Sequence, residues 1–326
     1  MVLANKNRSK IFVAGHKGMV GSAVHRALLC QGPNRADLLC MDRSELDLRV
    51  QSTVQEFIHN TKPDSVIVAG ATVGGIVANS TRPWDFISDN LLIANNLIKS
   101  CLENEVMSLM FLGSSCIYPK LAEQPMSEEA LLSDFLEPTN EWYAIAKISG
   151  IKMCQAANKQ FGTDFRSVIP TNLYGIGDKY AGSQSHVVPS LISRFHEAKI
   201  NGDPNVTVWG SGKAIREFLF ADDLADAVVF LMSLSKKDFE SVSEGRFYLN
   251  IGSGEELNIA ELADIVAEVV GYRGKIIFDT SYPDGTPRKL VDSSKMHSLG
   301  WKAKTTFDDG IKLAYQDFLM RFKACQ

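Results

Sequence analysis

This 326-residue chain is poor in paired cysteines. Its six, Cys30, Cys40, Cys101, Cys116, Cys154 and Cys325, include no Cys-x-x-Cys. In a chain this long they do not form a disulfide framework, and reduced thiols in a cytoplasmic protein are expected. The six histidines show no His-Glu-x-x-His, so no metal site is expected. An uninterrupted run of about 18 apolar residues is also missing, so no helical membrane span is expected. Met1 to Lys10 is polar and basic, without the apolar stretch of a secretory signal. There is no basic excess either. With 34 Lys and Arg against 38 Asp and Glu, the formal net charge is -4, which argues against a general nucleic-acid binder. Glycine (24) and proline (11) are too few for a collagen-like chain, and there is no low-complexity tract or internal repeat.

What is present is a regular alternation of short apolar runs and longer amphipathic segments. Strands are predicted at 10–15, 36–42, 65–71, 107–115 and 165–174, with helices at 20–31, 50–60, 85–105 and 142–161 between them. This alternation means βαβ units and a parallel sheet, with ligands beyond the carboxyl ends of the strands. The expected fold is α/β: a Rossmann-type doubly wound parallel sheet with a smaller C-terminal α/β substrate domain. The dinucleotide domain is drawn at 1–175, with returning segments from about 217–252, and the substrate domain mainly at 176–326. In the second part, helices are predicted at 187–200, 222–235, 259–270 and 306–323. Strands are predicted there at 206–209, 247–251 and 275–279, with a polar loop at 177–185.

The first strand runs into Gly15-His16-Lys17-Gly18-Met19-Val20-Gly21 and then a helix. Glycine permits the tight turn and lets backbone approach a pyrophosphate, while the helix N-terminus supplies free N–H groups. Lys17 offers an extra cation. At the end of the second strand an acid would select NAD and an arginine NADP. Asp42 and Arg43 stand side by side there, so the signal is mixed. Farther on, Tyr143 and Lys147 are four apart on one helix face. A lysine beside a phenol is expected to lower its pKa and suit it to protonate an alkoxide during hydride transfer. Ser114 or Ser115, at the end of the preceding strand, reaches the same oxygen. Alone, Tyr-x-x-x-Lys is a weak signal; the glycine loop upstream gives it weight.

The segments GHKGMVGSA, VGGIVAN (Val73 to Asn79), LGSSCIYPK (Leu112 to Lys120), EPTNEWYAIAKISGIK, PTNLYG, SHVVPSLISRFHEA, VWGSGKAIREFL and PDGTPRK together resemble the extended short-chain dehydrogenase/reductases. Within that family they resemble the branch of epimerase-reductases acting on GDP-sugars. The resemblance implies NADPH-dependent conversion of GDP-4-keto-6-deoxy-D-mannose to GDP-L-fucose, by epimerisation at C3 and C5 and hydride reduction at C4. A related reductase or epimerase, such as one forming GDP-colitose, stays open. The implied catalytic residues are Ser114, Cys116, Tyr143, Lys147 and His186. Cys116 is a candidate base two residues past Ser114, on the same face if the backbone is extended, and His186 a candidate acid. Implied cofactor contacts are the glycine loop, Arg43, Leu112, Gly113, Ser114, Ser115, Lys147, Pro170, Thr171, Asn172, Leu173 and His186. NADP is preferred over NAD, with Asp42 expected to turn into solvent. Arg194, Trp209, Arg216 and Asp284 match contacts to the nucleotide sugar. A homodimer is expected, paired through the helices at 85–105 and 142–161.

Overall fold

The computed structural model describes residues 9–31, 38–180, 185–282 and 284–324. Part of the expected second strand, part of the loop at 177–185, Pro283 and Cys325 lie outside them. In the first half, β1 (Ile11–Ala14), β2 (Leu38–Leu39), β3 (Ser65–Val68), β4 (Ser108–Leu112) and β5 (Asp164–Pro170) alternate with helices. These are α1 (Met19–Gln31), α2 (Gln51–Thr61), α3 (Ile76–Thr81), α4 (Pro83–Glu103) and α5 (Glu141–Phe161). β6 (Asn172–Tyr174), α6 (Val187–Asn201), β7 (Asn205–Trp209), β8 (Ile215–Phe220), α7 (Ala221–Ser233), α8 (Lys236–Val242) and β9 (Tyr248–Ile251) follow. The chain closes with β10 (Glu256–Asn258), α9 (Ile259–Val270), β11 (Lys275–Asp279), β12 (Arg288–Lys289), α10 (Ser294–Ser298) and α11 (Phe307–Ala324).

Six strands form one sheet in the order β2-β1-β3-β4-β5-β9, all parallel. Alternation along each strand divides its side chains between two cores. Phe12, Val66, Val68, Leu109, Phe111, Phe165 and Ile169 face α2, α4 and α5. Ile11, Val13, Ile67, Met110, Leu112 and Val168 face α1 and α7. Both faces are covered, which is why these strands read as continuous apolar runs. The order reverses at β1: the chain goes from β1 to β2 on one side and returns to β3 on the other. That reversal opens a crevice beyond the carboxyl ends of β1 and β3.

A third core is built by α6, α9 and α11 against β7 and β8, around Tyr174, Phe195, Phe218, Phe220 and Phe318. There β10, β8, β12 and β6 make one small sheet, and β7 pairs with β11. The expected single strand at 165–174 is two. β5 ends at Pro170, which has no N–H to continue a ladder. Thr171 Oγ1 and Asn172 Nδ2 both donate to the Glu217 carbonyl, at 3.3 and 2.8 Å, and β6 pairs with β8 instead of the main sheet. Within the described residues the second strand is only Leu38–Leu39, shorter than expected.

Candidate active site

The glycine loop is shaped by close backbone approach. Gly15 has φ +88°, and a Cβ there would lie 2.5 Å from the Gly70 Cα after β3. A Cβ on Gly21 would run into the Gly15 carbonyl. Only glycine lets α1 start this close to the turn. The Gly18 N–H donates to the Gly15 carbonyl at 3.0 Å and the Ser22 N–H to the Gly18 carbonyl at 2.8 Å. Met19 and Val20 pack into the core beneath. The cradle, free of side chains and set at a helix N-terminus in the crevice, fits the pyrophosphate of a dinucleotide.

At the end of β2 the charges are arranged otherwise than expected. Asp42 does not turn into solvent. Its carboxylate lies 2.5 Å from Lys17 Nζ and 3.4 Å from His16 Nε2. Lys17 is thereby paired with the acid. Arg43 is 70% exposed, 3.9 Å from Asp47. Asp47 itself is held to about pH 2, chiefly by its hydrogen bond from Arg49.

At the end of β4 the chain leaves the extended state. Ser115–Ile117 form a 3-10 turn, and Ser114 Oγ caps it by accepting from the Cys116 N–H at 3.3 Å. The turn, rather than strand alternation, sets the direction of Cys116. The Ser114 side chain lowers the pKa of both the Cys116 thiol and the Tyr143 phenol. Tyr143 and Lys147 share one face of α5. The Lys147 ammonium is buried, donates to the Leu112 carbonyl at 2.7 Å and lies 5.7 Å from the Tyr143 ring centroid. Burial lowers its pKa to about 8. The Tyr143 pKa runs opposite to the sequence expectation. Burial and the neighbouring Cys116 raise it, Ser114 alone lowers it, and Lys147 is not among the causes. The ammonium donates to a backbone carbonyl rather than to the phenol oxygen. Gly113 and Ser115 are buried at this turn, while Pro170 closes β5 and Asn172 and Leu173 open β6.

Two residues absent from the sequence expectations touch the thiol. Lys289 Nζ lies 3.3 Å and Asn140 Nδ2 3.5 Å from Cys116 Sγ. Burial raises the Cys116 pKa, but the Lys289 charge and the hydrogen bonds from Ser114 and Lys289 outweigh it, and the net shift is downward. His186 caps α6 by position. Its pKa is lowered by desolvation and then by the Lys179 and Lys289 charges. Lys289 and Asn140 stand in segments that the sequence marked, PDGTPRK and EPTNEWYAIAKISGIK, but their approach to sulfur is a tertiary fact.

The nucleotide-sugar candidates stand on and around β7 and β8. Arg194 donates to the Thr207 carbonyl. Arg216 donates to the Ile215 carbonyl at 2.8 Å and the Asp284 carbonyl at 3.3 Å. Asp284 does not present a free carboxylate: its oxygens accept from Ser211 N at 2.6 Å and Ser211 Oγ at 2.7 Å. Trp209 is 52% exposed and stacks on Tyr282 at 4.4 Å. His196, given no role from sequence, packs among Tyr315, Phe318 and Phe322.

A glycine cradle at a strand reversal, a Tyr/Lys helix face and a Ser-capped turn are now in one crevice. Residues 11–248 match the family described as NAD dependent epimerase/dehydratase. The chain belongs to that family. Among relatives, a putative GDP-L-fucose synthase 2 from Arabidopsis thaliana is 55% identical, over 95% of this chain and 92% of its own. A GDP-L-fucose synthase from Escherichia coli is 49% identical, over 96% and 97%. A GDP-L-colitose synthase from Yersinia pseudotuberculosis is 34% identical, over 95% and 98%. Among solved structures, a GDP-6-OMe-4-keto-L-xylo-heptose reductase from C. jejuni superposes with a TM-score of 0.91 at 36% identity, covering 97% and 99%. An NADP-bound GDP-L-fucose synthetase from Naegleria fowleri gives 0.87 at 27%, covering 98% and 95%. Membership in the epimerase/dehydratase family accounts for the parallel sheet and the glycine loop together.

Proposed function

We propose that the protein converts GDP-4-keto-6-deoxy-D-mannose to GDP-L-fucose with NADPH, inverting C3 and C5 and then reducing C4. One observation carries the reading: the Ser114 side chain, which accepts from the Cys116 N–H at 3.3 Å, lowers the pKa of both the Cys116 thiol and the Tyr143 phenol, so thiol and phenol share one hydroxyl neighbour. A 4-ketoreductase needs only the phenol. A thiol with a lowered pKa, placed beside it, suits proton abstraction from carbons acidified by the C4 ketone. In that step a C–H bond breaks, S–H forms, and the electron pair moves onto the C4 oxygen. His186, reaching the cleft from α6, returns a proton on the opposite face. Tyr143 then protonates the C4 oxygen, with Ser114 holding it in line. Bound NADPH supplies the hydride to C4. The glycine loop would hold its pyrophosphate, Arg43 its 2′-phosphate, and 170–173 with Lys147 the nicotinamide end. Arg194, Arg216 and Trp209 suit a nucleoside diphosphate. Identity near 50% to GDP-L-fucose synthases, against 34% to the colitose enzyme, favours the fucose substrate.

The protein works as a cytoplasmic homodimer in this reading. α4 and α5 lie side by side and leave Leu92, Trp142 and Ile145 exposed, as a pairing face requires. Cys30, Cys40, Cys101, Cys116 and Cys154 are free thiols, which fits a reducing compartment. Among the described residues no helix is long and apolar enough to cross a membrane. The deciding experiment mixes the protein with NADPH and GDP-4-keto-6-deoxy-D-mannose and reads the product by NMR. GDP-L-fucose is expected. A 4-reduced sugar with C3 and C5 unchanged would overturn the epimerase half, and no reduction would overturn both.

A further inference from the structure

We propose that Lys289 is a positioning residue whose ammonium serves as the counter-ion of a Cys116 thiolate, with Asn140 fixing the sulfur from a second side. This rests on the reading of Cys116 as the proton-abstracting group.

The argument begins with strand geometry. β12 is two residues long and pairs in parallel with β8, Lys289 opposite Arg216. Successive side chains of a strand point to opposite faces. Arg288 goes one way, into a two-pronged pair with Glu256 at 2.8 and 2.6 Å. Lys289 goes the other, into the small pocket that Cys116 lines with Lys120, Glu137 and Asn140. The acid of that pocket is already taken, because Glu137 lies 2.9 Å from Lys120. Among the described residues no carboxylate comes within 4 Å of Lys289, and its hydrogen bond goes to sulfur.

A neutral thiol is a weak acceptor, and two N–H donors converging on one sulfur suit the anion. The other charged or titratable groups facing the thiol come from three directions. Tyr143 approaches from α5, Glu137 and Lys120 stand across the pocket, and His186 lies beyond Lys289. Of these, Lys289 is the cation in direct contact. The same charge disfavours protonation of His186. One lysine thus favours the thiolate of Cys116 and makes protonated His186 the stronger acid.

The test is the pH dependence of Cys116 alkylation by iodoacetamide in the full-length protein, resolved by peptide mass spectrometry. Exposed Cys30 in the same digest is the internal reference. In Lys289→Met the midpoint at Cys116 should rise by a unit or more, slowing alkylation at neutral pH about tenfold. Lys289→Arg should restore most of the rate. Thermal melts establish that each variant is folded. A midpoint unchanged in a folded Lys289→Met overturns the proposal, as does a change of equal size at Cys30. A separate measurement tests the underlying reading: deuterium exchange at C3 and C5 of the keto sugar without NADPH. If Cys116→Ser exchanges at the wild-type rate while the alkylation midpoint still moves with Lys289, the base assignment fails and the counter-ion assignment stands.

Discussion

The two ends of the cleft are built of different material. At the glycine loop the surface is backbone, its shape enforced by contacts that a single Cβ would break. At the proposed GDP-sugar end it is side chains, and each is already partnered: Asp284 with Ser211, Arg194 with the Thr207 carbonyl, Trp209 with Tyr282. A ligand arriving at the first end finds donors waiting. At the second it must exchange one set of contacts for another, so affinity there is a small difference between similar terms. Preorganisation belongs to one end and adaptability to the other.

Six substitutions, in five tests, break or sharpen that comparison. The largest effect is expected where the ends meet. Tyr143→Phe should slow NADPH oxidation by about 10²–10⁴-fold, the range for losing a general acid, with NADPH and GDP affinities unchanged in calorimetry. Gly21→Val should weaken NADPH by roughly ten- to hundredfold through overpacking against Gly15, leaving GDP affinity intact; unaltered NADPH binding would mean the cradle yields. Arg43→Ala should raise KM for NADPH ten- to hundredfold, about the worth of a charge-assisted hydrogen bond, while sparing NADH. Asp42→Ala should favour NADPH further by releasing Lys17. An unchanged cofactor preference in Arg43→Ala refutes that assignment.

The fourth test concerns Lys147 and pH. Its folded pKa, about 8, is depressed from an ordinary 10.5. The unfolded chain therefore binds the proton more tightly, and burial of the ammonium costs the fold up to about 3 kcal/mol at pH 7. That cost fades as pH rises from 8 to 10.5. Lys147→Met should melt higher than wild type at pH 7, with the gap closing above pH 10.5, while reduction is lost. Smallest is Ser211→Ala. If the Asp284 contacts are exchanged on binding, freeing one oxygen lowers KM for the GDP-sugar by up to about fivefold, the worth of one hydrogen bond. A higher KM would make the Ser211 contact a brace, and the GDP-sugar end as preformed as the other.

The same division decided what could be read from the sequence. Gly15 and Gly21 leave a mark because steric exclusion admits one residue type at each. Tyr143 and Lys147 are legible because a helix fixes their spacing. The partners of those groups are not. Lys289 reaches Cys116 across 173 positions and Lys17 reaches Asp42 across 25, and neither strand periodicity nor helix spacing encodes such meetings. Lys147 stands beside the Tyr143 ring as the spacing implies, while its hydrogen bond to the Leu112 carbonyl is a partner that spacing does not encode. β8, β10 and β12 escaped notice because strands of two to six residues paired across long separations carry little periodic signal. The roles proposed for Cys116 and His186 came from family resemblance.

The topology has a consequence for anyone who would cut this chain. β5 runs on through Thr171 into β6 of the other sheet, and the chain comes back only with α7 and β9. A fragment ending near Tyr174 would carry every residue of the glycine loop yet lack the last strand of its own sheet. It would expose the edge of β5 and strip Val24 and Leu28 of the α7 side chains that cover them. Such a fragment should aggregate when expressed alone. Supplying the remaining piece in trans should rescue it, because the missing strand and helix belong to one folding unit whose sequence happens to be interrupted.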